Sequence, residues 1–119
     1  MPLATAIEDT GRWPVIRVEG ELSRATVGRF RDDLRTYDPA DGQLMIDLSG
    51  LSFIDSSGVS ALVDLARRCG HARRMGIVAP SPELRRKLEV MSLRRAFVFK
   101  PDIRALEAAL DLEPGAPTA

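Results

Sequence analysis

Hydrophobic residues along the chain follow first a two-residue and then a helical period. Thr5 to Glu8 and Trp13 to Glu19 read as two short strands, and the polar Asp9-Thr10-Gly11 between them predicts an N-terminal hairpin. Pro14 suits an edge or a strand start. From Ser23 the spacing lengthens: Val27, Phe30 and Leu34 recur at helical intervals, with Arg24, Arg31, Asp32 and Arg35 on the other face. Ser23 is the expected N-cap of that helix. Tyr37 to Gln43 carries Asp38-Pro39 and Asp41-Gly42, which is turn chemistry. Leu44 to Leu48 is nearly continuous in apolar residues, as in a strand covered on both sides, and Leu51 to Ile54 forms a second short apolar piece.

After Asp55-Ser56-Ser57-Gly58 comes a helix in which Val59, Leu62, Val63 and Ala66 define the buried stripe. Its opposite face carries Ser57, Ser60, Ala61, Asp64, Arg67 and Arg68, with Leu65 near the rim. Gly70 marks the expected helix end, where Arg67, Arg68 and His71 suit the negative end of the dipole. Met75 to Ala79 reads as a strand, and Ser81-Pro82-Glu83 signals a helix start, with Leu84, Leu88 and Met91 as the apolar stripe. Ala96 to Phe99 is the last strand; Pro101-Asp102 then caps a helix that turns Ile103, Leu106 and Leu110 inward. Strands that alternate with helices need crossover connections. The pattern therefore predicts an α/β fold: a mixed, mostly parallel sheet with an N-terminal antiparallel element and about four helices.

Composition narrows the class. At 119 residues the chain holds one domain, expected over residues 1–111 with a flexible C-terminal tail at 112–119. Seventeen basic residues against seventeen acidic ones give zero formal net charge, which argues against a general nucleic-acid clamp. The clusters Arg67-Arg68, Arg73-Arg74 and Arg85-Arg86-Lys87 have no interleaved aromatic residues and read as solvated helix ends. The single cysteine, Cys69, excludes an intramolecular disulfide and a four-cysteine metal site. Residues 1–9 lack a signal-peptide pattern, and no run approaches the roughly 18 apolar residues of a membrane span, so a cytoplasmic protein without membrane insertion is expected.

Catalytic signatures are missing. There is no phosphate-binding G-x-x-x-x-G-K-[ST] loop, no G-x-G-x-x-G, no G-x-S-x-G elbow and no H-E-x-x-H. The sole histidine, His71, stands fifteen residues from Ser56 on the same expected helix, roughly 22 Å away, too far to share a proton. A small enzyme using Asp55 and Ser56, such as a nucleotide hydrolase, would have neither a phosphate cradle nor a base other than carboxylates.

The informative segment is Leu51 to Val59, where a strand ends and a helix begins. The first backbone N–H groups of a helix lack partners, and Asp and Ser are favoured caps for them. Capping does not exclude a second role. A serine hydroxyl at a helix N-terminus can accept a phosphoryl group whose negative charge the dipole tolerates, and a partner surface fitted to a neutral hydroxyl would then meet a bulky dianion.

Leu48 to Val59, with its I-D-S-S-G core, resembles the signature of the STAS domain, specifically of bacterial anti-sigma factor antagonists. Gly20-Glu21-Leu22 resembles the G-E-L-D turn of that family, and Ser81-Pro82 to Phe97 resembles its S-P...L...M-S-L...F stretch. The similarity runs over roughly residues 5–111. It implies helices packed largely against one face of the sheet. It also implies a partner switch in which the unmodified antagonist binds an anti-sigma factor serine kinase and frees the sigma factor. That kinase phosphorylates the serine after the motif aspartate, here Ser56, and a serine phosphatase resets the switch. Asp55 would be the positioning and charge neighbour, Ser57 a helix-start hydroxyl and Gly58 the small residue permitting close approach. No cofactor is implied, since the kinase brings nucleotide, magnesium and base.

Gly20, Glu21 and Ser23 would add to the kinase-facing surface, but Ser23 stands where the family usually has aspartate. The change either alters the partner or exchanges one cap for another. Ser60, Ala61, Asp64, Leu65 and Arg68 form either an adjacent docking face or a plain solvated one. A second use of the same fold is as a cytoplasmic component of a transporter, a lipid-trafficking complex or a larger signalling assembly.

Overall fold

The computed structural model describes residues 3–9, 13–35, 44–68, 75–79, 81–91 and 97–111. In chain order the elements are β1 (Ala4–Asp9), β2 (Pro14–Leu22), α1 (Val27–Asp33), β3 (Met45–Ile54), α2 (Ser56–Arg68), β4 (Met75–Val78), α3 (Pro82–Met91), β5 (Phe97–Lys100) and α4 (Ile103–Asp111). The five strands form one sheet in the order β1-β2-β3-β4-β5. β1 pairs antiparallel with β2, Ile7 opposite Ile16, and the remaining pairs are parallel. The α/β reading, the antiparallel N-terminal element and the four helices all stand.

Sequential strand order explains where the helices lie. A parallel crossover is right-handed in nearly every case, so strands laid down in one direction across a sheet place their connecting helices on one face. Phe30 of α1, Leu62 of α2 and Leu88 of α3 accordingly share one core with Ile16, Ile46 and Ile77 of the sheet. The fourth helix follows the last strand, is no crossover, and takes the other face. Its Leu106 and Leu110 pack with Val15, Met45 and Val78, the alternate positions of the same strands, and with Trp13 just before β2. Gly76 makes room for it, because a Cβ there would fall 2.9 Å from Leu106 Cδ2 and from Leu110 Cδ1.

Four details differ from the sequence reading. Gly20-Glu21-Leu22 is not a turn after β2 but its last three residues, which pair with Leu51, Phe53 and Ile54. Leu44–Leu48 and Leu51–Ile54 are therefore parts of one strand region, since β3 stays on β2 through two register shifts after β4 has ended. Gly20 takes φ 92° at the second shift, a backbone conformation that a side chain disfavours. Ser23 does not cap α1. It opens a turn in which its carbonyl accepts the amides of Thr26 (3.0 Å) and Val27 (2.8 Å), and Thr26 occupies the cap position.

The fourth correction concerns α2. Ala61 and Leu65 are buried, 2% and 3% exposed, where the sequence reading placed them on or beside a solvent face. A helix covered only by a sheet would expose them, but α1 lies along that flank. Arg31 on α1 bonds Asp64 at 2.8 Å, and Arg68 Nη1 donates to the Leu34 carbonyl at 3.2 Å. Ser81 and Asp102 cap α3 and α4 as expected, accepting the amides of Leu84 (3.3 Å) and Ala105 (2.8 Å). The expectations for Thr10-Gly11, Tyr37 to Gln43, Cys69 to Arg74, Ala96, the Met91 side chain and the tail at 112–119 lie outside the described residues.

Candidate functional site

The parallel strands end at one rim of the sheet, where open α/β folds place their variable contacts. There the end of β2, the turn Ser23–Thr26 and the start of α2 meet around Asp55. Its own amide donates to the Leu22 carbonyl at 3.3 Å, locking the end of β3 to the end of β2. One carboxylate oxygen, Oδ1, accepts the Gly58 amide at 3.0 Å and so caps α2; the other, Oδ2, accepts the Arg24 amide at 2.9 Å. The Arg24 N–H first, then the Gly58 N–H, hold the Asp55 carboxyl below the usual carboxylate range, against a smaller upward effect of burial.

Gly58 is small for an internal reason. A Cβ at this position would lie well inside contact distance of the Leu22 carbonyl oxygen and 2.8 Å from Ile54 Cγ1. The close approach it allows is that of α2 to the end of β2. Thr26 draws the turn together: its hydroxyl donates to the Glu21 carbonyl at 2.8 Å and accepts the Ser23 amide at 3.0 Å. Ser52 Oγ donates to the Gly20 carbonyl at 3.0 Å, supporting the left-handed glycine from β3.

Ser56, the first residue of α2, is exposed on this framework, and its hydroxyl makes no hydrogen bond among the described residues. Ser57 beside it is half-buried, and Ser60, one turn along, is exposed. Glu21 and Ser23 are half-buried at the β2 side of the rim, while Gly20 and Gly58 are buried beneath it. Asp64 and Arg68 are exposed but lie about 12 and 18 Å farther along the helix, where Asp64 bonds Arg31 of α1 and Arg68 the Leu34 carbonyl just after it. The structure thus gathers Glu21, Ser23, Asp55, Ser56, Ser57 and Ser60, and leaves Asp64 and Arg68 apart.

Three features escaped the sequence reading. Thr26 follows Ser23 closely, and a second hydroxyl before an apolar period was the available signal. Asp47 is buried and holds Arg17 Nη1 at 3.1 Å and the Ser49 amide at 2.9 Å. A lone acid in an apolar strand, opposite the lone arginine of β2, was legible only once Arg17 and Asp47 were known to be in register. Phe53 is 47% exposed, with Lys87 Nζ 5.0 Å from its ring centroid. Among the described residues no group of three His, Cys, Asp or Glu could hold a metal ion, and no helix is long and apolar enough to cross a membrane.

One five-stranded, mostly parallel sheet with an antiparallel first strand and four helices places the chain among mixed α/β domains. The STAS domain model matches residues 4–106, and the chain belongs to that family. An anti-sigma factor antagonist from Mycobacterium paratuberculosis is 27% identical and superposes with a TM-score of 0.78, over 91% of this chain and 93% of that one. The anti-sigma factor antagonist SpoIIAA in its unphosphorylated form gives 28% identity and a TM-score of 0.64, over 91% and 96%. The Bacillus cell fate determinant SpoIIAA in its phosphorylated form gives 26% and 0.63, over 89% and 99%. No curated protein matches the chain.

Proposed function

We propose that the protein is an anti-sigma factor antagonist acting in the cytoplasm, which binds an anti-sigma factor serine kinase while Ser56 is unmodified and releases it once Ser56 is phosphorylated. The observation that carries this reading is the exposed, unbonded Ser56 hydroxyl directly after the capping Asp55, in a chain that shares its fold with antagonists of this kind.

The residues divide the work. Asp55 fixes the helix start through two amides, so the hydroxyl that follows is presented at a set angle rather than sampled from a loose loop. Ser56 offers its oxygen for in-line attack on the terminal phosphoryl group of a nucleotide that the kinase holds with its own metal and base. The product keeps a dianion at the positive end of α2, which stabilises the phosphorylated chain, while the kinase surface meets added bulk and like charge. Glu21, Ser23, Ser57 and Ser60 complete the contact, with Asp64 and Arg68 beyond it. Gly20, Gly58, Ala61 and Leu65 act from beneath, as the packing that holds the surface. A serine phosphatase restores the hydroxyl.

Incubation of wild type, Ser56→Ala and Ser56→Asp with the anti-sigma kinase and ATP tests the proposal. Phosphate is expected on Ser56 of wild type alone, with kinase retained by Ser56→Ala and lost by Ser56→Asp. Phosphate on another residue, or equal retention of all three proteins, overturns it.

A further inference from the structure

The turn beside Ser56 carries an unused cation. Arg24 donates its amide to Asp55 Oδ2 at 2.9 Å, which sets residue 24 against the carboxylate immediately preceding Ser56. One peptide step, about 3.8 Å between Cα atoms, separates Asp55 from Ser56. The turn does not swing freely. The Val27 amide reaches the Ser23 carbonyl at 2.8 Å, the Ser23 amide reaches Thr26 Oγ1 at 3.0 Å, and the Ala25 amide reaches Ser23 Oγ at 3.3 Å.

The Arg24 side chain is exposed and enters no ion pair among the described residues. The arginines in and just after the helix that follows are engaged: Arg29 with Asp33, Arg31 with Asp64 and Arg35 with Asp32. Asp55, the carboxylate against which Arg24 stands, already accepts a backbone amide on each oxygen. A guanidinium offers five donors in a planar fork that matches the oxygens of a phosphate, and phosphoserine presents about 1.5 to 2 negative charges.

We propose that Arg24 closes on the phosphoryl group of phosphorylated Ser56 and serves as its counter-charge. This rests on the reading of Ser56 as the modified residue and adds the means by which the modified state is held. Phosphorylation then changes the rim twice: an anion replaces the hydroxyl, and the cation of the Ser23–Thr26 turn is withdrawn from the surface that a partner meets.

Phosphoserine placed at position 56 by genetic incorporation, without any kinase, gives a direct test. The pH titration of its phosphorus-31 resonance is compared in the otherwise wild-type chain, Arg24→Gln, Arg24→Met and Arg24→Lys. The other charged groups on this side of the molecule, Asp55 and Glu21 at the rim and Glu83 and Lys87 of α3 across the pocket that reaches Ile54, are common to all four. Residue 24 bonds Asp55 through its backbone, so the neutral variants keep that bond; circular dichroism on each confirms the fold. One opposite charge at about 4 Å, even at the dielectric constant of water, lowers the second phosphate ionisation by roughly half a pH unit or more. The wild-type midpoint is therefore expected below both neutral variants by that amount, with Arg24→Lys keeping most of the shift. Coincident midpoints in wild type and the neutral variants overturn the role of Arg24. Kinase labelling away from Ser56, in the assay above, would instead overturn the reading on which it rests.

Discussion

Asp55 joins the end of β2, the turn after it and the start of α2 through its amide, both carboxylate oxygens and its carbonyl, which accepts the Val59 amide at 3.0 Å, and its protonation has a predictable cost. Its folded carboxyl is held low by two amide donors. A depressed carboxylate contributes stability that is fully present above its unfolded value and lost as pH falls through its folded one. Urea unfolding of wild type and Asp55→Asn should therefore show a clear deficit in the variant at neutral pH that closes in acid, below about pH 4. A difference independent of pH would mean that the charge of Asp55 does not matter. Gly58 tests the packing of the same junction. Alanine is the better helix former by about 1 kcal/mol, yet its Cβ meets the Leu22 backbone and Ile54. Gly58→Ala is expected to lose about 1–3 kcal/mol in denaturant unfolding, the range for overfilling a packed site. A stabilised variant would show that α2 can shift away from β2 without penalty.

At the scale of elements, the site and α4 are mechanically separate, because α4 covers the sheet face that the three crossover helices leave open. Leu106→Ala should cost about 2–5 kcal/mol in chemical unfolding, as for a fully buried leucine, and leave kinase binding intact under native conditions. Loss of binding at full folding would contradict that separation. The elements were legible in the sequence because their signals are local: the Ser81-Pro82-Glu83 start, the Asp102 cap and the alternation in β2 each need only a few neighbours. What was not legible depends on distant partners. Ala61 and Leu65 look like rim residues until α1 is laid beside α2. Leu51–Ile54 looks like a separate piece until β2 supplies its continued pairing. At the site, the Asp55-Ser56-Ser57-Gly58 junction was readable from spacing. That Gly58 is small to admit Leu22, and that Asp55 is held from the β2 side, was not.

For the whole molecule, this backbone superposes almost equally well on SpoIIAA without phosphate and with it, at TM-scores of 0.64 and 0.63. Both SpoIIAA structures thus share the fold of this chain, and the switch proposed for Ser56 is expected to act through surface chemistry. An acidic residue at the first position of α2 interacts favourably with the helix dipole by about 0.3–1 kcal/mol. Ser56→Asp should therefore melt at or slightly above wild type even as it loses the kinase, a combination measurable by calorimetry and pull-down. A lowered melting point accompanying lost binding would point to damage instead of switching. The bond between the Arg24 amide and Asp55 has a consequence for what position 24 can tolerate. Any residue except proline can supply that N–H, so position 24 can change without disturbing the helix start it braces, and on the proposed reading only the counter-charge of the phosphate goes with the arginine. One residue thereby serves two separable ends, its amide bracing the junction and its side chain open to replacement.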